Sequence, residues 1–194
     1  SAEQAGAKEV YLIHEPMAAA LGIGIDVEEP VGNMIIDIGG GTTGITVIAL
    51  AGIVCDQSIR IAGDEFTADI MEALRRYHSL LIGERTAEQI KIQVGAAMKD
   101  LDNPPDDIPV NGRDLVTGIP KQVMVSYQEV AEALDKSIFK IEEAILKALE
   151  TTPPELASDI LDRGIVLTGG GALLRGLDKR IRQETNLPVI VADD

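Results

Sequence analysis

The stretch NMIIDIGGGTTGITVIALAG, Asn33 to Gly52, sets two apolar segments on either side of a turn built from glycine and threonine. Both segments read as buried β-strand. Asp37 stands at the lip of the turn. Gly39, Gly40 and Gly41 carry no Cβ, so another group can approach their backbone closely. Their N–H groups can converge on a phosphate oxygen as an anion nest. Thr42 and Thr43 add hydroxyl donors. Asp37 repels phosphate and suits a divalent cation, held directly or through its water shell. Taken alone, the stretch reads equally well as a tight hairpin whose glycines supply only positive φ.

A second turn shifts that balance. In GIVLTGGGALLRGLDKRIRQET, Gly164 to Thr185, Thr168, Gly169, Gly170 and Gly171 follow a strand and precede ALLRGL, which reads as the start of a helix. Such a junction aims unpaired N–H groups and a positive dipole end at whatever sits there. The spacing is not G-x-G-x-x-G, so a Rossmann dinucleotide site is not indicated. Close helix–strand packing would by itself explain one such turn. Two of them on strands of one α/β domain point to one nucleotide gripped from two sides.

Working outward, NMIIDI, GITVIALAG and IVCDQSIRIAG form a β-meander. EVYLI, ahead of it, reads as a strand and EPMAAALGIG as a helix. The period then changes. DEFTADIMEALRRYHSLL places Phe66, Ile70, Leu74 and Tyr77 on one helical face, and TAEQIKIQVGAAMKDL is a second helix with Thr86 as its N-cap. In DIPVNGRDLVTGIPKQVMVS, Asn-Gly and Thr-Gly turn signals between short β runs predict a hairpin. Ser126 and Glu129 form a capping box ahead of a long helix carrying Val130, Leu134, Ile138, Ile141, Ile145 and Leu149. ELASDIL reads as a short helix and LPVIVA as a last strand. The order describes an α/β domain with an insertion from about Asp64 to about Ser126.

Composition agrees with a packed domain. The 194 residues are 45% hydrophobic but only 3% aromatic, so Ile, Val, Leu and Ala fill the core. A formal net charge of -15 disfavours nucleic acid and anionic lipid as partners. The single cysteine, Cys55, forms no internal disulfide, and a reducing cytosol is the expected compartment. No apolar run is long enough to span a bilayer. The first and last residues, SAEQAGAKEV and VIVADD, lead us to expect a piece of a longer protein.

DIGGGTT and LTGGGALL resemble the second phosphate loop and the adenosine motif of the actin-like ATPase superfamily. LIHEPMAAALG, LIGERTAEQIK, PPELASDI and DRGIVLTGGGALLRGLD make the chain similar, over essentially its whole length, to the MreB family of bacterial actins. The resemblance implies one lobe of a two-lobed ATPase: a ribonuclease H-like mixed sheet flanked by helices, with a small α+β insertion. Residues 1–26 would be the last strand and connecting helix of the first lobe. Residues 27–63 and 127–194 would be subdomain IIA, and 64–126 subdomain IIB. ATP or ADP with Mg2+ would be bound. Gly40, Gly41 and Thr42 would contact the β- and γ-phosphates, with Gly39 and Thr43 also in the nucleotide-binding set and Asp37 near magnesium through water. Thr168, Gly169, Gly170 and Gly171 would line the α-phosphate and nucleoside, and Glu88 and Lys91 the ribose and adenine. Read without the family, Glu88 and Lys91 are a solvated i,i+3 ion pair. Glu15 would orient the attacking water together with Thr42, whereas from sequence alone it is a helix-start acid.

The resemblance further implies a head-to-tail filament coupled to ATP hydrolysis, which serves the cell-wall elongation machinery and rod shape. That filament would lie in the cytoplasm beneath the inner membrane, touching the membrane only through the first lobe. The chain alone would bind nucleotide weakly and have little or no ATPase activity, because half the phosphate clamp lies in the first lobe. Gly44, Ala62 and Thr67 depart from the family pattern, which has acids at the positions of Gly44 and Thr67. Another member of the superfamily is the rival: a plasmid- or organelle-positioning actin, a chaperone ATPase or a sugar kinase.

Overall fold

The computed structural model describes residue 22, residues 32–49 and residues 52–192. The expected strand in EVYLI and the expected helix after it lie outside them, apart from Gly22. Strand β1 (Asn33–Ile38) is the centre of the fold. Met34, Ile36 and Ile38 on one face and Ile35 on the other are all 2% exposed or less, so the strand is buried on both sides. It pairs antiparallel with β2 (Thr43–Ala49), which pairs antiparallel with β3 (Gly52–Ile59). The chain then leaves this sheet through helix α1 (Gly63–His78), β4 (Leu80–Leu81), α2 (Glu84–Val94), β5 (Ile108–Asp114) and β6 (Pro120–Val125). Strands β4, β5 and β6 form a separate antiparallel sheet.

The long helix α3 (Tyr127–Thr151) packs back on β2 and β3, and α4 (Pro154–Arg163) on β1. Strand β7 (Ile165–Thr168) joins the other side of β1 in parallel. A single 3-10 turn (Gly170–Leu173), helix α5 (Leu177–Thr185) and β8 (Val189–Val191) follow. The main sheet is therefore mixed, in the order β3-β2-β1-β7-β8. One apolar core runs from Met34, Ile36 and Ile38 through Phe66 and Ile70 of α1 and Ile90 of α2 to Leu134, Ile138, Ile141 and Ile145 of α3. The expected capping box is present: Ser126 Oγ accepts from Glu129 N–H, and Glu129 Oε2 accepts from Ser126 N–H at 3.0 Å.

Four local expectations are corrected. Tyr77 lies near the end of α1 and is 67% exposed, while Phe66, Ile70 and Leu74 are buried. Helix α2 begins at Glu84 after an extended Gly83, so Thr86 is inside it. It stops at Gly95, where a Cβ would collide with the Lys91 carbonyl and the chain turns to bridge Ala96 to Arg175. Asn111-Gly112 lies within β5, because a Cβ at Gly112 would sit 2.6 Å from Leu81 O. The reversal falls at 115–118, at the other expected signal, Thr117-Gly118, where Gly118 supplies a φ of 76°. The helix expected from the second glycine turn is only a 3-10 turn, and α5 starts at Leu177 after the left-handed Gly176.

These contacts set an order of costs. Ser126→Ala, which removes the cap, lowers stability by about 1 kcal/mol in urea denaturation. Gly112→Ala costs more, about 2 kcal/mol or above, because the clash is with strand backbone that cannot move without breaking the β4–β5 pairing.

Candidate functional site

Parallel pairing of β1 with β7 sets Asp37 opposite Thr168, so both glycine turns leave the sheet at the same edge. They touch there. At Gly169, φ is +87°, and a Cβ would lie 2.5 Å from both Asp37 Oδ1 and Ile38 O. A Cβ at Gly171 would drive into Ile38 Cγ2. Here glycine is required by strand-to-turn packing as well as by any ligand.

The first turn is held from behind. Gly39 N–H donates to Thr42 O at 3.0 Å, closing the hairpin. At the start of α1, Gly63 N–H donates to Gly39 O at 3.0 Å and Asp64 N–H to Gly40 O at 2.7 Å. In a trans peptide the carbonyl and the following N–H point in opposite directions. Fixing Gly39 O and Gly40 O toward α1 therefore aims the N–H groups of Gly40 and Gly41 away from it. Among the described residues neither N–H has a backbone or side-chain partner. Gly40, Gly41 and Thr42 are exposed at the tip. Thr43, expected among the phosphate donors, is withdrawn from that set: it is fully buried, and its hydroxyl donates to Ile61 O at 2.6 Å.

Both turns open on one cleft of about 600 Å³. Gly39, Gly40, Gly170 and Gly171 line it together with Glu88 and Lys91 of α2. Asp37, Thr168 and Gly169 lie at the strand ends that carry the two turns. Lys91 Nζ pairs with Glu88 Oε2 at 2.8 Å, and the Thr67 hydroxyl lies 3.0 Å from Glu88 Oε2. The hydrogen bond from Lys91, with that from Thr67, holds the Glu88 carboxyl below its ordinary value. Glu15 lies outside the described residues.

The sequence reading missed part of the wall. Gly63 and Asp64 contribute through the first turn of α1. Ile92 and Leu173 line the cleft while 65% and 72% exposed. An isoleucine on the outer face of an amphipathic helix was the available signal for Ile92. Arg175 joins the two sides, donating from Nη1 to Ile92 O at 3.0 Å and to Gly95 O at 3.3 Å. Among the described residues no group of three or more His, Cys, Asp or Glu forms a metal cage. A divalent ion here would thus take phosphate oxygens and water, with Asp37 as the neighbouring carboxylate.

The profile of the MreB/Mbl protein family matches residues 1–194. The chain is 48% identical over its full length to the cell shape-determining protein Mbl of Bacillus subtilis (strain 168), covering 58% of that protein. It is 51% identical to the cell shape-determining protein MreB of Escherichia coli (strain K12), again over its full length and 55% of the relative. It spans little more than half the length of these relatives. Among solved structures it is similar to MreB5 of Spiroplasma citri bound to AMPPNP, with a TM-score of 0.93 and 40% identity, covering 100% of this chain and 57% of that one. The expected actin-like fold, a mixed sheet flanked by helices, is therefore the observed one.

The lowered Glu88 pKa fixes a sign. The ionised carboxylate stabilises the fold above its unfolded-state value, and that contribution is lost as pH falls through the lower folded-state value. Glu88→Gln flattens the acid limb of the stability curve below the ordinary value of 4.5, measured by thermal melts across pH.

Proposed function

The chain belongs to the MreB/Mbl protein family, and from that membership we propose that it is the half of a filament-forming, cell shape-determining ATPase that carries the second phosphate loop and the adenosine motif. The observation that carries this reading is the meeting of two glycine turns on adjacent parallel strands, at one cleft, opposite Glu88 and Lys91. In this proposal residues 27–63 and 127–194 are subdomain IIA, and 64–126 are the inserted IIB.

The N–H groups of Gly40 and Gly41, without a partner among the described residues, take the β- and γ-phosphates together with the Thr42 hydroxyl. Such charge-assisted bonds are a main source of phosphate affinity in an anion nest. Thr168 to Gly171 follow the α-phosphate and nucleoside. The half-exposed carboxylate of Glu88 accepts from ribose hydroxyls. Ile92 and Leu173 offer apolar surface to a planar base. Magnesium carried in with the phosphates supplies positive charge that offsets charge on the γ-phosphate. Asp37 holds its water shell, and Glu15 with Thr42 orients the attacking water in the whole protein.

Self-association follows the same reading. Head-to-tail contacts between identical copies do not close and so build filaments. The β5–β6 tip, with Leu115, Val116 and Ile119 at 45%, 83% and 61% exposure, is one contact in this scheme. The segment near Pro153 is another candidate. The cell-wall elongation machinery is the proposed partner, beneath the inner membrane on its cytoplasmic side, with membrane contact through the first lobe. Similarity at about half identity to two cell shape-determining proteins favours this over a kinase, chaperone or positioning actin.

A Cβ at Gly41 meets nothing within 4 Å among the described residues, so their packing does not need glycine there. In the full-length protein, Gly41→Ala leaves stability within about 0.5 kcal/mol and weakens ATP binding by about tenfold or more. Unchanged ATP affinity in calorimetry would remove the first turn from the site. Val116→Asp, at the most exposed apolar residue of the tip, leaves ATP binding intact and lowers the fraction that pellets with ATP. Normal pelleting would take the tip out of the filament contact.

A further inference from the structure

Helix α2 ends at Val94, and a helix leaves its last carbonyls without partners of its own. Arg175 serves two carbonyls there with one nitrogen: Nη1 donates to Ile92 O at 3.0 Å and to Gly95 O at 3.3 Å. A guanidinium also suits the negative end of a helix dipole. The backbone of the same residue holds the next segment. Ala97 N–H donates to Arg175 O at 2.8 Å, beside the parallel bridge of Ala96 to Arg175. Further along, Arg180 Nη1 donates to Ala97 O at 3.0 Å, and the hydroxyl of the buried Tyr127 to Lys99 O at 3.0 Å. The docking is close. A Cβ at Gly95 would strike Lys91 O and lie 3.0 Å from Leu174 Cδ1, and one at Gly176 would lie 2.8 Å from Leu101 Cδ2. Residues 95–99 are thus strapped along the loop that leads from the second glycine turn into α5.

The two residues that offer apolar surface to a base stand at the ends of this tie. Ile92 is the residue whose carbonyl Arg175 holds, and Leu173 lies two positions before Arg175. Ile92 belongs to the insertion, on the same helix as Glu88 and Lys91, whereas Leu173 belongs to the turn that leaves β7. We propose that Arg175 is a positioning residue that locks the nucleoside wall carried by α2, with Glu88, Lys91 and Ile92, to the Gly170–Leu173 turn on the other side of the cleft. Dispersion contact loses about a quarter to a half of its strength when a gap opens by roughly 0.5–1 Å. A small outward swing of α2 therefore loosens the hold on ribose and base together. The Gly40–Gly41 cradle stays as it is, because its carbonyls are held by the start of α1 and not by the end of α2. This inference rests on the nucleotide reading of the cleft, and its test separates the two.

The test compares full-length wild type with Arg175→Met, Arg175→Lys and Tyr127→Phe. It reads amide exchange without ligand, and affinity for adenosine, MgATP and magnesium tripolyphosphate. Methionine keeps an unbranched stem without donors, and lysine keeps a charge and donors on a similar stem. Tyr127 does not line the cleft, so Tyr127→Phe loosens the strap from outside it and keeps the buried ring. In Arg175→Met the Ala97 amide exchanges about fivefold faster or more. The dissociation constants of adenosine and MgATP rise together by about five- to tenfold, while that of tripolyphosphate changes less than about twofold. Arg175→Lys restores most of both readouts, and Tyr127→Phe moves both in the direction of Arg175→Met by about twofold. Weaker adenosine binding with unchanged Ala97 exchange would make Arg175 a direct ligand contact. Faster exchange with unchanged adenosine affinity would leave a strap without bearing on the site, and an equal loss for tripolyphosphate would move the effect to the phosphate turn. Each of these overturns the proposal, as does a Tyr127→Phe protein unchanged in both readouts. If wild type binds none of the three ligands, the nucleotide reading itself fails and the proposal falls with it.

Discussion

The parallel register between β1 and β7 is the constraint on which the rest depends. It sets Asp37 beside Thr168 and brings two glycine turns, well over a hundred residues apart in the chain, to one edge of the sheet. Parallel strands expose their carboxyl ends together, and ligands of open α/β sheets bind in the crevice there. Antiparallel pairing of the same strands would have sent the turns to opposite edges. The insertion adds the third side, because α1 and α2 deliver Asp64, Glu88, Lys91 and Ile92 to the same cleft.

The glycines of the two turns do different work. Gly169 and Gly171 are fixed by packing, since any side chain would strike Asp37 or Ile38. A Cβ at Gly41 would meet nothing within 4 Å among the described residues, so packing against them does not require glycine there. Gly40 lies between these cases, with a would-be Cβ 3.5 Å from Asp64 Oδ1. A run that looks uniform in sequence is thus partly scaffold and partly site.

Three cations of this acidic chain sit at junctions between elements. Lys91 joins α2 to α1. Arg175 caps the end of α2 from the loop before α5. Arg180 of α5 pairs with the buried Glu142 and with Asp135 of α3, and donates to Ala97 O at 3.0 Å. Burial pushes the Glu142 carboxyl up, and the Arg180 guanidinium opposes that shift. Each cation ties elements of the insertion, the long helix or the last helix to one another, where removal would leave a carboxylate or a row of carbonyls unpaired.

Short windows of the sequence determined most of the described elements and their order, though not the two-residue strand β4, which reads there as the end of a helix. Period-two and period-3.6 patterns are local, so β1, β2, β3, α1, α3 and the capping box at Ser126 were legible from short windows. Both glycine turns were legible too, because glycine runs between apolar segments are local signals. Local signals failed where a distant backbone decided the outcome. Gly112 looked like a turn and is a close approach to Leu81. Thr43 looked like a phosphate donor, but its hydroxyl is given to Ile61. The second turn looked like a helix start and is interrupted by docking of Arg175 on α2. Glu88 and Lys91 looked like an exposed ion pair on their own. Only the tertiary structure put them across from the glycines, because that placement depends on strand register and helix docking between residues far apart in the chain, which no local pattern encodes.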